Sequence, residues 1–529
     1  MKEGFRQSMA WLHTWSGLLV GWVLFMVFAC GTASYFRDEI TLWMKPELHQ
    51  ASHAMVEQGV AVARIQQLLE QRAAQSPRWF ITLPTEREPA VRASWAPPPS
   101  KAEGKPRGRR RFENASIDPL TGQELSAARA TRGGDFFYRM HFDMHYMPVL
   151  WARWIVGACA MFMLVAIISG IVTHKRIFKD FFTFRPNKGQ RSWLDAHNAT
   201  AVLALPYHLM ITYTGLVTLM FMYLPQGLNA VYPKTDAFFA DLNGGPKEEV
   251  KASGIHATLT PLAPLVAQAS KHWDGAAVGR ITVNLAGDSA ATVTITQQDG
   301  HGLSNNLPTL TFDGVSGAMQ GAADKSGAAV ETRGVMYGLH IGRFASPLLR
   351  GLFFLSGLAG CAMVATGVLL WAVKERPKHL KASANGRIGF GLRLVDGLNL
   401  GGIAGLLIAM SVFFWANRLL PVGLQGRPDL EIQCFFTAWG IAAVMALAFP
   451  ARWMWRIQLA IAGVLFALLP VLNPLTGGVG LLASMAQGLW PVAGFDLVVL
   501  LLGCGLLWAS RRLGTVKATA KVKMAKVTA

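Results

Sequence analysis

Thirteen histidines are spread over 529 residues. Seven of them stand at the ends of long apolar runs or inside them: His13, His141, His145, His174, His197, His208 and His340. An imidazole in a lipid environment is costly unless it is paired or bound to something. Taken singly, each reads as a hydrogen-bonded packing residue. Their spacing says more. His13 precedes Gly31 by 18 residues, in HTWSGLLVGWVLFMVFACG, and His197 precedes Gly215 by 18, in HNATAVLALPYHLMITYTG. His141 closes a Tyr138-x-x-His unit and His340 a Tyr337-x-x-His unit, with Pro148 and Pro347 seven residues further on. His13 is therefore the repeat partner of His197, and His141 of His340. Two neutral imidazoles facing each other at one depth make a bis-histidine haem site. Between His13 and Gly31 runs about 27 Å of helix, so the two pairs fall on opposite sides of a bilayer. The expected cofactor is haem b, about two per chain, its iron held by these histidines. No CxxCH is present for covalent attachment.

Three histidines lack a repeat partner. His145 lies one helical turn beyond His141, on the same face if a helix reaches that far. Either of the two could ligate, the other meeting a haem propionate. The repeat favours His141, because Phe344 occupies the place that corresponds to His145. Depth favours His145, about 6 Å nearer the bilayer. His174 is level with the His13 site and is a third candidate there. His208, about 16 Å inside His197 by helical rise, reads as a relay or proton-carrying residue, or as one beside a haem edge. Glycines near these histidines, Gly31, Gly170, Gly215 and Gly367 among them, would admit a flat macrocycle; close helix packing explains them equally.

Membrane helices must position these residues. The chain is 52% hydrophobic and 15% charged, against about 25% charged in soluble proteins. Eight spans are expected, near 11–36, 148–173, 197–223, 347–373, 398–420, 432–450, 456–473 and 489–509. The first is too long for the apolar core of a secretory signal and reads as retained. The net charge is +19. It is concentrated beside spans, in Lys175–Arg191, Lys374–Arg393 and the tail from Arg511 to Lys526. Such clusters orient a chain against anionic lipid, which puts both termini in the cytoplasm and argues against nucleic-acid binding. The five cysteines lie in apolar runs without CxxC spacing, which argues against a disulfide scaffold, a zinc site or an iron–sulfur cluster. HExxH, GxSxG, a P-loop and a dinucleotide fingerprint are absent as well.

Two long segments, 37–147 and 224–346, face outward in this topology. Each has an amphipathic stretch (Val62 to Ala74; Leu262 to Lys271) and an extended run (WFITLP; GRITVNL). A second strand follows (AVRASW; ATVTITQ), then a strand with a glycine turn (FENASIDPLTGQ; LPTLTFDGVSGAMQ). The repeating unit is thus span, small α+β outer domain, span, used twice in one orientation. The expected domains are 1–36, 37–147, 148–223, 224–346, 347–380 and 381–529, the last holding four further spans. Ala96–Arg111, APPPSKAEGKPRGRRR, reads as a disordered, solvated loop. Asp496, near the outer part of the last span, is the notable acid of the C-terminal half.

The patterns LHTWSGLLVGWVLF, ISGIVTHKR, DAHN…TYTG after the basic loop, and YGLHIGRF…ATGVLLW resemble the PepSY-associated transmembrane helix family. The resemblance covers roughly residues 5–380. It implies an α-helical integral membrane protein of the bacterial inner membrane. A four-helix haem-binding core would carry PepSY-like periplasmic domains, as in iron-regulated membrane proteins and siderophore reductases. By position His13, His197, His340 and one of His141 or His145 match the family's histidines. The implied activity is a transmembrane oxidoreductase. It would pass electrons from the cytoplasmic side to a ferric siderophore or other ferric chelate, fed by quinol or a separate cytoplasmic reductase. The four C-terminal spans, His145, His174 and His208 depart from the family's minimal pattern. Two other readings stand beside this one: a non-enzymatic membrane protein that binds peptides or regulates a protease, and a transporter component using spans five to eight. The presence or absence of a haem b spectrum separates them from the first.

Overall fold

The computed structural model describes residues 4–51, 56–97, 112–174, 177–180, 182–242, 251–300, 302–323, 327–382 and 388–527. Most of the Ala96–Arg111 loop lies outside these residues, as do Lys175, Arg176, Arg387 and the side chains beyond Leu513. The chain begins with α1 (Phe5–Ser34), α2 (Arg37–Trp43) and α3 (Gln58–Arg72). Then come β1 (Arg78–Thr82), β2 (Val91–Trp95), β3 (Glu113–Ile117), α4 (Asp135–Asp143) and α5 (Val149–Thr173). The middle holds α6 (Gln190–Leu203), α7 (Leu205–Thr218), α8 (Leu262–His272), β4 (Val278–Asn284), β5 (Thr292–Gln297), β6 (Thr309–Asp313) and β7 (Met319–Ala323). After α9 (Ala328–Ile341) the remainder is helical: α10 (Pro347–Ala382), α11 (Phe390–Leu419), α12 (Arg427–Ala448), α13 (Arg452–Leu475) and α14 (Trp490–Val527).

Two compact units divide these elements. The helical unit comprises Met1–Lys45, Arg129–Leu216 and Pro347–Ala529. Among the described residues seven helices are long and apolar enough to cross a membrane. They are α1, α5, α10, α11, α12, α13 and α14, and the protein is a multi-pass membrane protein. The third span, expected as one helix over 197–223, is instead two helices, α6 and α7, bent by 68°. Pro206 accounts for the break. It has no N–H to donate and disfavours helical backbone at the residue before it. A depth for His208 counted along a straight helix therefore does not hold. Elsewhere small residues let helices approach closely. On α10, Gly357 and Gly360 lie against Thr32 and Phe28 of α1 with no room for a methyl group.

The second unit comprises Pro46–Ala128 and Val217–Ser346. Its strands form one antiparallel sheet in the order β3-β2-β1-β4-β5-β6-β7. The two outer segments, read from the sequence as separate small domains, are thus joined through β1 and β4, where Ile81 sits opposite Ile281. The join has a physical reason. A three-stranded sheet would leave β1 as an open edge, and pairing with β4 closes both edges at once. Alternate residues point to one face, where Trp79, Ile81, Val91, Ile281, Val293 and Phe312 are buried beneath Ile65 and Leu69 of α3 and Leu265 and Val266 of α8. Side-chain amides tie the copies together: Gln58 pairs both ways with the backbone of Val278, and Gln66 accepts from Leu262 N–H. The copies also share a turn. Asp118 accepts from the N–H groups of Leu120 and Thr121, Asp313 from those of Val315 and Ser316. Gly122 and Gly317 follow, both at φ +73°, a left-handed conformation that favours glycine.

Candidate functional site

His13 lies near the start of α1 and His197 in the middle of α6. The Nδ1 of His13 is 2.8 Å from the carbonyl oxygen of Ala166 on α5. The Nδ1 of His197 is 2.9 Å from the carbonyl oxygen of Met363 on α10. A carbonyl only accepts, so Nδ1 carries the proton in both rings and Nε2 keeps its lone pair. The ring centroids stand 6.1 Å apart with their planes at 70°. Two metal–imidazole bonds of about 2 Å each, plus the half-widths of two rings, give a separation of about 6 Å. The pair thus has the tautomers and the spacing that would suit two imidazole ligands to one haem iron. Glycine makes room for each ring: a Cβ on Gly170 would meet His13 Cε1 at 3.1 Å, and one on Gly367 would meet His197 Cε1 at 3.2 Å.

His141, on α4, repeats the arrangement at the other end of α1. Its Nδ1 is 2.7 Å from the carbonyl oxygen of Val27, and a Cβ on Gly31 would stand 2.7 Å from that same nitrogen. In all three cases the imidazole binds the carbonyl of one residue and lies over a glycine four residues later. The pentapeptides read AIISG (Ala166–Gly170), MVATG (Met363–Gly367) and VFACG (Val27–Gly31), and ITYTG (Ile211–Gly215) is a fourth copy in the sequence. In the sequence, room for a macrocycle or close helix packing accounts for the glycines, and neither points to the carbonyls. The pentapeptide is the signal that would have found them. Val27 is 14 residues beyond His13, a rise of about 21 Å.

The other histidines are arranged differently. The expectation that His145 shares a helical face with His141 is not met, because α4 ends at Asp143. Met144, His145 and Tyr146 follow with φ of 53°, 46° and 51°. This turn sends the His145 ring onto Phe436 of α12, stacked at 5.8 Å and 17°. His174 caps α5, and its Nε2 lies 3.2 Å from the amide nitrogen of Asn198, the neighbour of His197. It therefore belongs to the surroundings of the His13–His197 pair. His208 is fully buried on α7, with Phe28 and Tyr207 rings at 6.0 and 5.9 Å. Its polar neighbours are backbone groups of Ser356 and Ala201. Beside it the hydroxyls of Tyr207 and Tyr35 meet at 3.0 Å. His340 lies on α9 of the sheet unit, so its pairing with His141 rests on the repeat in the sequence.

Sequence reasoning singled out Asp496 and overlooked the company it keeps. Asp496 is fully buried and accepts from Trp43 Nε1 at 2.7 Å and Asn473 Nδ2 at 3.1 Å. Arg418 packs over the Trp43 ring at 4.1 Å and donates to Asn473 at 2.6 Å. Arg427 and Glu431 of α12 form a wholly buried ion pair at 2.5 Å.

Comparison with known proteins agrees with this architecture. The model of the family described as PepSY-associated TM region matches residues 10–374, from α1 into α10. An uncharacterized protein of Pseudomonas aeruginosa, PA4219, is 27% identical over 383 residues, covering 67% of this chain and 89% of its own length. The family match ends before α11, so the last four spans lie outside it. With more than half of its length matched, the chain belongs to the PepSY-associated TM region family.

Proposed function

We propose that the chain is a haem b electron-transfer protein of a bacterial inner membrane, passing electrons outward to a ferric siderophore or another ferric chelate. The observation that carries this reading is the His13–His197 pair, 6.1 Å apart with both Nδ1 atoms bound to backbone carbonyls. Bound haem supplies a one-electron ferric/ferrous couple. The chain's part is to hold two imidazoles in the ligating tautomer, seat their rings over glycines and keep water away. A haem held by two histidines would favour electron transfer over oxygen chemistry. His141 takes the second haem, with His340 named as its partner by the repeat in the sequence alone. Val27 and His13 lie at opposite ends of α1, which supports two haems spaced across the bilayer. Basic loops put the His13 end and both termini in the cytoplasm, where quinol or a separate reductase donates electrons. The sheet unit then faces the periplasm and the acceptor.

Pyridine haemochrome titration of the purified chain tests the reading. About two haems per chain are expected, with low-spin spectra in both oxidation states. His13→Ala and His197→Ala should each remove one haem and stop reduction from the cytoplasmic side, with the chain still inserted. A wild-type chain without haem ends the proposal. Full haem and normal reduction kinetics in both variants would refute the pairing.

A further inference from the structure

We infer that the first two of the four C-terminal spans, α11 and α12, brace α4, and that Thr131, Glu431 and Arg427 are the residues through which they position His141. The ligand role of His141 comes from the functional reading above; the brace does not depend on it.

The contacts run along the whole approach to α4. Arg129 donates to the carbonyl of Asn417, in the last turn of α11, at 3.1 Å. Arg427 donates to the carbonyl of Ala130 at 2.8 Å and also to that of Asn417. The Thr131 hydroxyl donates to Glu431 at 2.6 Å, and Asn417 Nδ2 donates to the other carboxylate oxygen at 2.9 Å. Asn417, Arg427 and Glu431 have no exposed surface. Beyond this knot the first turn of α4 enters an aromatic cluster. Phe136 lies 4.7 Å from Phe413 and 4.9 Å from Phe435, and Phe137 lies 5.6 Å from Phe414. The grip ends where His145 stacks on Phe436. On its other side α4 is held by α2: Thr41 accepts from Gly134 N–H at 2.9 Å, and Arg37 pairs with Asp135 at 2.6 Å.

Energetics explain why such a knot would serve position rather than stability. A buried ion pair is often no more stabilising than apolar residues of the same shape, whereas removing one partner is costly. What it supplies is one geometry. The last carbonyls of a helix lack intrahelical partners, and Arg427 meets that of Asn417 while also fixing Ala130. A strand of chain pinned at residues 129, 130 and 131 starts α4 at one place and one rotation. The rotation decides whether the His141 ring reaches the Val27 carbonyl, 2.7 Å away.

Thr131 gives the cleanest test, since its hydroxyl also accepts from Gly133 N–H at 3.0 Å. Thr131→Val keeps the shape and removes both bonds, while Thr131→Ser keeps both. Hydrogen exchange of the full-length protein in detergent is expected to speed up across α4 in Thr131→Val. The increase should be about tenfold or more, the factor carried by one hydrogen bond to a buried charge. Exchange in α6 should stay unchanged, and Thr131→Ser should behave as wild type. The haem fraction lost in His141→Ala should fall and shift its potential in Thr131→Val, with the haem lost in His13→Ala untouched. Unchanged α4 exchange in Thr131→Val, or equal loosening in Thr131→Ser, overturns the brace. A protein that never holds haem yet shows the exchange pattern sustains the brace and removes the functional reading instead.

Discussion

At the scale of single residues, the seats under the imidazoles make a ranked prediction. A methyl group on Gly31 would stand 2.7 Å from His141 Nδ1, inside any tolerable contact, whereas one on Gly170 would stand 3.1 Å from His13. Gly31→Ala must push the His141 ring off the Val27 carbonyl; Gly170→Ala asks the His13 ring to give by a few tenths of an ångström. Overpacking of this kind costs about 1–3 kcal/mol, and Gly31→Ala belongs at the upper end. Haem retained per chain during a detergent wash should therefore drop more in Gly31→Ala than in Gly170→Ala. The reverse order would mean that the seats are not what holds the rings. Repeat spacing pairs His13 with His197, whose rings stand 6.1 Å apart, and proposes His141 with His340 in the same way. Their carbonyl partners were not legible in the sequence, since a backbone oxygen has no residue type. Nor was the turn that carries His145 away from His141, because Met144, His145 and Tyr146 adopt left-handed backbone without a glycine to announce it.

The strands and turns were the most legible elements, and one of the turns sets a pH dependence. Asp288 accepts from the Ser253 hydroxyl at 2.6 Å and from the N–H groups of Ser253, Gly254 and Ala290 at 2.8 to 3.0 Å. These bonds favour its charged form and hold its carboxyl down at about 2, against an ordinary value of 3.8. A depressed carboxyl contributes stability that is complete above its unfolded value and is lost as pH falls through the folded one. The sheet unit of the wild type should thus unfold at a higher temperature than that of Asp288→Asn above about pH 4, with the gap closing towards about pH 2. A gap that persists undiminished at the lower pH would show that Asp288 acts without its charge. Alternation of apolar residues places β1, β2, β4 and β5 within a residue or two, since period two survives in any half-buried strand. The pairing of β1 with β4 was hidden, because two strands about 200 residues apart leave no local mark of which edge meets which. The break between α6 and α7 was readable in principle from Pro206, but apolar composition over 197–223 outweighed a single breaker.

For the whole molecule, the division of labour between the first 382 residues and the last four spans yields the strongest test. The His13–His197 seat is built from α1, α5, α6 and α10 alone. The C-terminal half touches that bundle through Asn399 of α11, which accepts from Trp22 of α1 at 2.9 Å and donates to the carbonyl of Val368 on α10 at 3.4 Å. Trp22 follows His13 by nine residues, half a turn out of phase at about 100° per residue, so this contact lies on the opposite face of α1. A side-chain hydrogen bond between membrane helices averages about 0.6 kcal/mol, and an uncovered apolar helix face is at home in lipid. Loss of α11 should therefore leave the His13–His197 seat standing. The outer seat differs, because α4 would lose the Arg427–Glu431 knot and the Phe413, Phe414 and Phe435 cluster together. A chain ending at Ala382 is expected to insert and to bind about one haem instead of two. The remaining haem should vanish on His13→Ala and ignore His141→Ala. Two haems in the shortened chain would mean that α2 and the Arg153–Asp143 pair from α5 suffice to hold α4 in place. None would mean that the C-terminal spans support the core through α1 after all, with Trp22 and Asn399 the first pair to replace.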